Sequence, residues 1–300
     1  MAIKEEQLTS VDGYELDLLI SEAKSPKAVI QMVHGMEEHK ERYVPFMEYL
    51  SKNGFTCVIS DLRGHGKNAP ILSHISNKRG DKLLIQDQIK INSYIKSNYK
   101  GLPIYLFGHS MGTIISRVLI QEEGKRFAKV ALSGYVNPNP IAPIGVGLVK
   151  CLTIFKGPKA KSKLMDNMTT GSFNKGLENP RTELDWLSYN ANNVDTYIED
   201  PLCGVPFTLG SYYSLMKLLA RMGKYKAYKA ENKDCPIYLI SGQDDPCTGL
   251  DKGREDSKAL LVKAGYNNIE VKTLENMRHE ILNEDKKEEV YASLLEFFNK

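Results

Sequence analysis

Three hundred residues, 42% hydrophobic and 26% charged, describe an ordinary globular chain holding one large domain, or a core that carries an insertion. A net charge of only +3, with no Arg-rich helix, removes the electrostatic case for nucleic acid. The five cysteines are odd in number and none is in CxxC spacing; no apolar segment follows a basic stretch near the start, so no signal peptide is expected and free thiols in a reducing cytoplasm are the natural setting.

The segments EEQLTS and YELDLLIS flank Val11-Asp12-Gly13, an Asp-Gly turn, and read as a β-hairpin. AVIQMV, from Ala28 to Val33, is a continuous apolar run suited to a strand buried on both faces. Val44, Met47 and Leu50 repeat at helical spacing between Tyr43 and Asn53, and Gly54 is a C-terminal cap candidate. Strand Phe55 to Ser60 follows, then a helix over Leu83 to Ser97, a strand from Ile104 to Phe107, a helix from Met111 to Glu122 and a strand from Phe127 to Leu132. This rhythm stops after Gly134. Residues 135–233 are rich in Pro, Gly, Asn and Lys, with short helical pieces such as Tyr212 to Met222. The alternation returns with strand Pro236 to Ser241, helix Lys252 to Ala264, strand Ile269 to Leu274 and helix Glu284 to Asn299. Strands and helices alternating in this way predict a mostly parallel sheet flanked by helices. The predicted core is 1–134 plus 234–300, interrupted by a largely helical cap at 135–233.

Between the strand ending at Phe107 and the next helix lies Gly108-His109-Ser110-Met111-Gly112. A sharp strand-to-helix turn would lift Ser110 above the sheet as a nucleophile, with small residues two before and two after because side chains would collide there. The helix start supplies free N–H groups for an oxyanion. A second donor must come from the loop after an earlier strand, where His34-Gly35-Met36 stands; the backbone N–H groups of Met36 and Met111 are the expected pair. A serine hydroxyl needs a base. Of six histidines, five precede Ser110, and in folds built on this elbow the order is Ser, acid, His, which leaves His279. Two acids compete for the third role. In Ser241-Gly242-Gln243-Asp244-Asp245-Pro246, the turn closed by Pro246 would present Asp245 at the loop tip, and Asp244 could instead cap the turn.

With these residues in view, the chain resembles the monoacylglycerol lipase and lysophospholipase group of α/β-hydrolases. The resemblance rests on HGMEEHKERY (His34 to Tyr43), DLRGHG (Asp61 to Gly66), GHSMG (Gly108 to Gly112), SGQDDP (Ser241 to Pro246) and MRHEILNE (Met277 to Glu284). It implies an α/β-hydrolase fold, an acyl-enzyme mechanism and Ser110, Asp245 and His279 as the catalytic set, since the family's acid sits in a G-x-x-D pattern that matches Gly242 to Asp245. It also implies that Glu38, His39 and Arg42 support the oxyanion loop from behind, the plain alternative being a solvated helix start. Two positions depart from the pattern: Thr113 stands where a second glycine is common after the elbow, and Lys67-Asn68 replace a serine after GHG. His65, flanked by glycines, is expected to order its own turn. No His, Cys or acid spacing resembles a metal site, and no phosphate or dinucleotide loop is present, so no cofactor is expected.

The resemblance does not reach the cap. That segment holds 13 Lys and Arg against 8 Asp and Glu, giving +5 against −2 for the rest. The apolar run Ile141 to Phe155 is 15 residues long, is broken by Pro143 and carries Lys150, which is short of the roughly 18–20 that span a bilayer. Lys-rich residues 156–163 follow it. Two readings stand: this edge touches anionic lipid or micelle surfaces and feeds the site with an acyl chain, or it is a buried cap helix followed by a solvated loop. Cys247, two residues after the acid, is expected near the site. The expected substrate is a monoacylglycerol or similar lipid-like ester, with a lysophospholipid or short ester as alternatives; from another class, the fold can serve as a non-catalytic ligand binder. The location expected is cytoplasmic or peripheral to membrane, and composition says nothing of oligomeric state.

Overall fold

The computed structural model describes residues 3–300. The first two strands, β1 (Ile3–Thr9) and β2 (Glu15–Ser21), form the predicted antiparallel hairpin. The rest of the sheet is built from β3 (Ala28–Val33), β4 (Phe55–Ser60), β5 (Ile104–His109), β6 (Lys129–Ser133), β7 (Ile237–Gly242) and β8 (Ile269–Leu274). The order is β1-β2-β4-β3-β5-β6-β7-β8, and every pair from β4 to β8 is parallel. This is the mostly parallel sheet flanked by helices that the sequence predicts.

Side chains alternate between the two faces of each strand, and each face has its own apolar layer. Val29, Val33, Leu106, Val130, Leu132, Ile237 and Leu239 face one layer with helices α2 (Gly80–Asn98), α3 (Met111–Glu123) and α8 (Leu250–Lys263). Ile30, Met32, Phe107, Ala131, Tyr238 and Ile240 face the other, under α1 (Val44–Lys52) and α9 (Lys287–Asn299). Burial on both faces explains why these strands read as continuous apolar runs. The chain winds outward from β3 to β4 in one direction and from β5 to β6 in the other. The carboxyl ends of β3 and β5 therefore lie side by side at the reversal point, where open α/β sheets form their crevice.

Between β6 and β7 the chain leaves the sheet and forms α4 (Ala142–Lys156), α5 (Lys163–Thr169), α6 (Ala191–Glu199) and α7 (Leu209–Met222). The Ser162, Asn190 and Thr208 side chains cap α5, α6 and α7. Helix α7 packs on α3 and α2, and its Tyr212, Leu215 and Leu218 belong to the main core. The reading of 141–155 as a buried helix is overturned. Only Ala142 and Val149 of α4 are buried, and Ile144, Ile154 and Phe155 are 73%, 72% and 82% exposed. Leu148 and Leu152 pack partly against the main core and Ile144 lines a cavity, whereas Ile154 and Phe155 at the end of the helix face outward. Among the described residues no helix is long and apolar enough to cross a membrane.

Candidate active site

Strand β5 delivers Ser110 at a backbone conformation of φ 52° and ψ −121°, a left-handed turn that costs a non-glycine residue about 1–3 kcal/mol. Surrounding packing holds it there. Ser110 N donates to Ser133 O at 3.0 Å, tying the elbow to β6. The elbow glycines are required by close approach rather than by the turn alone. A Cβ on Gly112 would lie 2.1 Å from Val33 O, where α3 backs onto β3, and one on Gly108 would lie 2.7 Å from Gly112 O. Thr113, the departure from the family pattern, is fully buried. Its hydroxyl donates to Ser110 O at 2.7 Å and accepts from Val136 N at 3.2 Å, bracing the elbow against the segment leaving β6.

The loop after β7 carries both candidate acids, Asp244 and Asp245. Asp245 is completely buried, accepts from Cys247 N at 2.9 Å, and has both carboxylate oxygens 3.0 Å from His279 Nδ1. Asp244 points elsewhere and accepts from Tyr189 Oη–H at 2.9 Å. The structure thus brings Asp245, not Asp244, to His279. Burial disfavours the charged imidazole of His279, but the Asp245 carboxylate and the Cys247 sulfur outweigh it and raise its pKa well above the ordinary value. The neighbouring His109 ring, 4.9 Å away, is held down to about 4 by burial and by His279. Trp186 packs on the far side of His279 at 5.1 Å.

Ser110 and His279 line one cavity of about 410 Å³, together with Met36, Met111 and Cys247. They do not form a hydrogen bond with each other: the nearest partner of His279 Nε2 is Cys247 Sγ at 3.9 Å. Such links are often long before substrate binds. The wall is dominated by Met, Leu, Ile, Phe and Trp side chains, including Leu148, Met165, Leu215 and Leu219. Among the described residues, neither the Met36 nor the Met111 amide donates to another group of the protein.

The loop after β3, His34 to His39, is held by groups that the sequence reading only partly assigns. Glu38 accepts from Gly35 N at 2.5 Å, from Tyr43 Oη–H at 2.8 Å and from Arg42 at 3.0 Å. Burial works against its charge, but Arg42 and the nearby histidines hold its carboxyl down to about 2. Arg42 also grips both oxygens of Glu280 at 2.7 Å. A continuous polar chain therefore runs from Gly35 through Glu38, Arg42 and Glu280 to the loop that carries His279. Removing one partner of such a buried pair costs about 3–5 kcal/mol. Glu38 and Arg42 bond to the loop after β3 and to each other, whereas His39 turns toward Glu41 at 2.7 Å and Asp200 at 2.8 Å.

Glu280 and Glu284 were missed. Both stand in the quoted MRHEILNE stretch, two acids beside the base, and that was the available signal. Glu284 accepts from Arg278 N and Tyr189 N, pinning the His279 loop to the insertion. His34 and His65 were also underread. Each is a buried neutral imidazole whose Nε2 accepts a backbone N–H, from Leu62 at 2.9 Å and from Glu37 at 3.3 Å. His65 orders its own turn through Arg63 O at 3.0 Å and also holds the oxyanion loop.

Several known proteins are similar to this chain. The profile of a family described as serine aminopeptidase, S33, matches residues 24–286. The chain is 25% identical over 269 residues to the monoglyceride lipase of Mus musculus, covering 87% of this chain and 81% of that protein. It is 22% identical over 282 residues to phospholipase YtpA of Bacillus subtilis, covering 92% and 96%. Its structure superposes on that of a thermostable carboxyl esterase from Bacillus coagulans in complex with glycerol, with a TM-score of 0.92, 25% identity, and coverage of 100% and 98%.

Proposed function

Because the chain belongs to the α/β-hydrolase family described as serine aminopeptidase, S33, we propose that it cleaves a lipid-like carboxylic ester through an acyl-enzyme on Ser110. The observation that carries this reading is the buried Asp245–His279 pair opening on the same apolar cavity as a strained Ser110. Ser110 Oγ attacks the ester carbonyl while His279 Nε2 takes its proton, and the same proton passes to the departing alkoxide. Asp245 keeps the proton on Nδ1, so that Nε2 is free to accept. The Met36 and Met111 amides receive the oxyanion. Water, activated by His279, then hydrolyses the acyl-enzyme. The reading takes 135–233 as a cap over this cavity.

A monoacylglycerol is the substrate class favoured here. The apolar wall fits an acyl chain, and the mouse relative is named a monoglyceride lipase. Rates with p-nitrophenyl esters are expected to rise from acetate to medium chains, with monoacylglycerol turned over faster than lysophospholipid or an aminoacyl p-nitroanilide. A maximum at acetate, or preference for the anilide, would redirect the assignment to a short-chain esterase or an aminopeptidase.

The cap's outer edge supports contact with anionic lipid. Ile154 and Phe155 project from α4 beside Lys156, Lys159, Lys161 and Lys163, and Ile144 of the same helix and Ile141 just before it reach the cavity. Each lysine near an anionic surface contributes about 1 kcal/mol. The Ile154→Asp/Phe155→Asp double variant is expected to bind anionic vesicles at least about tenfold more weakly, with hydrolysis of soluble p-nitrophenyl acetate unchanged. Binding indifferent to both salt and the double substitution would reject the contact.

A further inference from the structure

Outside the site just described, three side chains distant in sequence converge where the oxyanion loop meets the insertion. His39 lies at the end of that loop, and Asp200 and Cys203 lie in the turn after α6. One donor atom from each lies within 4.8 Å of the other two. We propose that His39, Asp200 and Cys203 bind a tetrahedral transition-metal ion of the Zn²⁺ class, locking the oxyanion loop to the insertion.

The donor set is the first argument. Imidazole nitrogen, carboxylate oxygen and thiolate sulfur together suit Zn²⁺ and its spectroscopic substitute Co²⁺, and are a poor cage for Mg²⁺ or Ca²⁺. Ligands at about 2.0–2.3 Å from a tetrahedral ion stand roughly 3.3–3.8 Å apart. His39 Nε2 and Asp200 Oδ2 are now 2.8 Å apart and need to separate by only about half an ångström to reach that spacing. The Asp200 side chain is 28% exposed and has room to make that shift.

The surroundings are the second argument. His39 Nδ1 donates to Glu41 Oε2 at 2.7 Å, the carboxylate-to-histidine link that fixes the ring of a metal-ligating imidazole and leaves Nε2 for the ion. Glu41 is itself held by Lys40 at 3.0 Å. Asp200 Oδ1 accepts from Leu202 N at 2.8 Å, which orients the carboxylate and frees Oδ2. His39 and Cys203 are buried, and the exposed flank of Asp200 gives an entry path and a fourth position for water. An ion pair accounts for His39 and Asp200, while the Cys203 thiol, which packs beside Trp186, Leu187 and Tyr197, adds a sulfur donor next to His39.

The two segments already touch: Gly204 N and Tyr197 Oη both donate to Glu37 O, at 2.9 Å and 2.7 Å. Glu37 follows Met36, so an ion here would stiffen the backbone that presents one oxyanion donor. The metal is structural and takes no part in the ester reaction.

Co²⁺ titration of the reduced full-length chain tests this, in a Cys247→Ser background that silences the thiol beside His279. One equivalent is expected to give a thiolate-to-cobalt charge-transfer band and four-coordinate visible bands, both erased by Zn²⁺. Zn²⁺ should also raise the unfolding temperature. Cys203→Ser should lose the charge-transfer band, and Glu41→Gln, on a partly exposed side chain, should keep it with affinity down about 10- to 100-fold. Absence of the band overturns the proposal. So does a band that survives Cys203→Ser, which would assign the ion to another thiol such as exposed Cys151, or binding unmoved by His39→Gln and Glu41→Gln.

Discussion

Ser110→Ala is expected to lower kcat/KM for p-nitrophenyl butyrate by about 10⁴- to 10⁶-fold and to abolish labelling by a fluorophosphonate. The loss should be chemical rather than structural. Among the described residues Ser110 Oγ has no hydrogen-bond partner, and the elbow is held by Ser110 N to Ser133 O and by Thr113 Oγ1 to Ser110 O, neither of which involves the Ser110 side chain. Alanine tolerates the same backbone about as well as serine, so the unfolding temperature should move by less than about 2 °C. The residual rate would reflect the oxyanion donors and binding alone. A loss of only a few-fold, with labelling retained, would point to another nucleophile. No labelling of the parent chain would favour the ligand-binding reading over an enzyme.

The parts of this molecule that the sequence makes legible are those in which a single stretch of chain carries both structure and chemistry. Strands β3 to β7 are buried on two faces and so announce themselves as unbroken apolar runs. The elbow carries its glycines and its serine within five residues. What escapes is set by three-dimensional meetings between stretches that look unremarkable alone. Arg42 and Glu280 are separated by 238 positions, and nothing in either stretch announces that the fold buries them as a pair. His39 and Asp200, 161 positions apart, carry no spacing signal, which is why no metal site was expected from motifs. In the insertion, α5 and α6 have side-chain caps visible as Ser162 and Asn190, but their apolar periods are too short to stand out from a polar background. Helix α4 misleads in the opposite way. Its composition is that of a buried helix, and only the absence of a packing partner over Ile154 and Phe155 turns it into a surface. Helix α9 starts at Lys287, three residues beyond the Glu284 that its sequence pattern predicts, because Glu284 is drawn out of the helix to bind Arg278 N and Tyr189 N.

Asp245→Asn is expected to cut kcat by about 10⁴-fold and to move the acid limb of the pH–rate profile downward. The direction follows from the groups around His279. The parent needs neutral His279 Nε2, so kcat/KM rises with pH through the pKa of that imidazole in the free enzyme. Burial pushes the pKa down, and the fully buried Asp245 carboxylate with Cys247 pushes it up by more. The parent limb therefore lies above the ordinary imidazole value near ~6.5. Of the other groups facing the ring, His109 stays neutral and Glu280 is neutralised by Arg42. Replacing the carboxylate by an amide removes the opposing charge and leaves burial to act alone, so the limb falls. The deficit should then be smaller in acid than on the plateau, because the parent is losing its active base where the variant is not. The amide can still accept from Cys247 N, which keeps the loop in place and confines the effect to the imidazole. Asp244→Asn is the comparison, since its amide oxygen can still accept from Tyr189 Oη–H and it does not contact His279, so the rate should change by no more than a few-fold. Were Asp244→Asn to carry the large loss, with Asp245→Asn near the parent rate and its limb unmoved, the acid's role would pass to Asp244 and the pairing drawn from the geometry would fail.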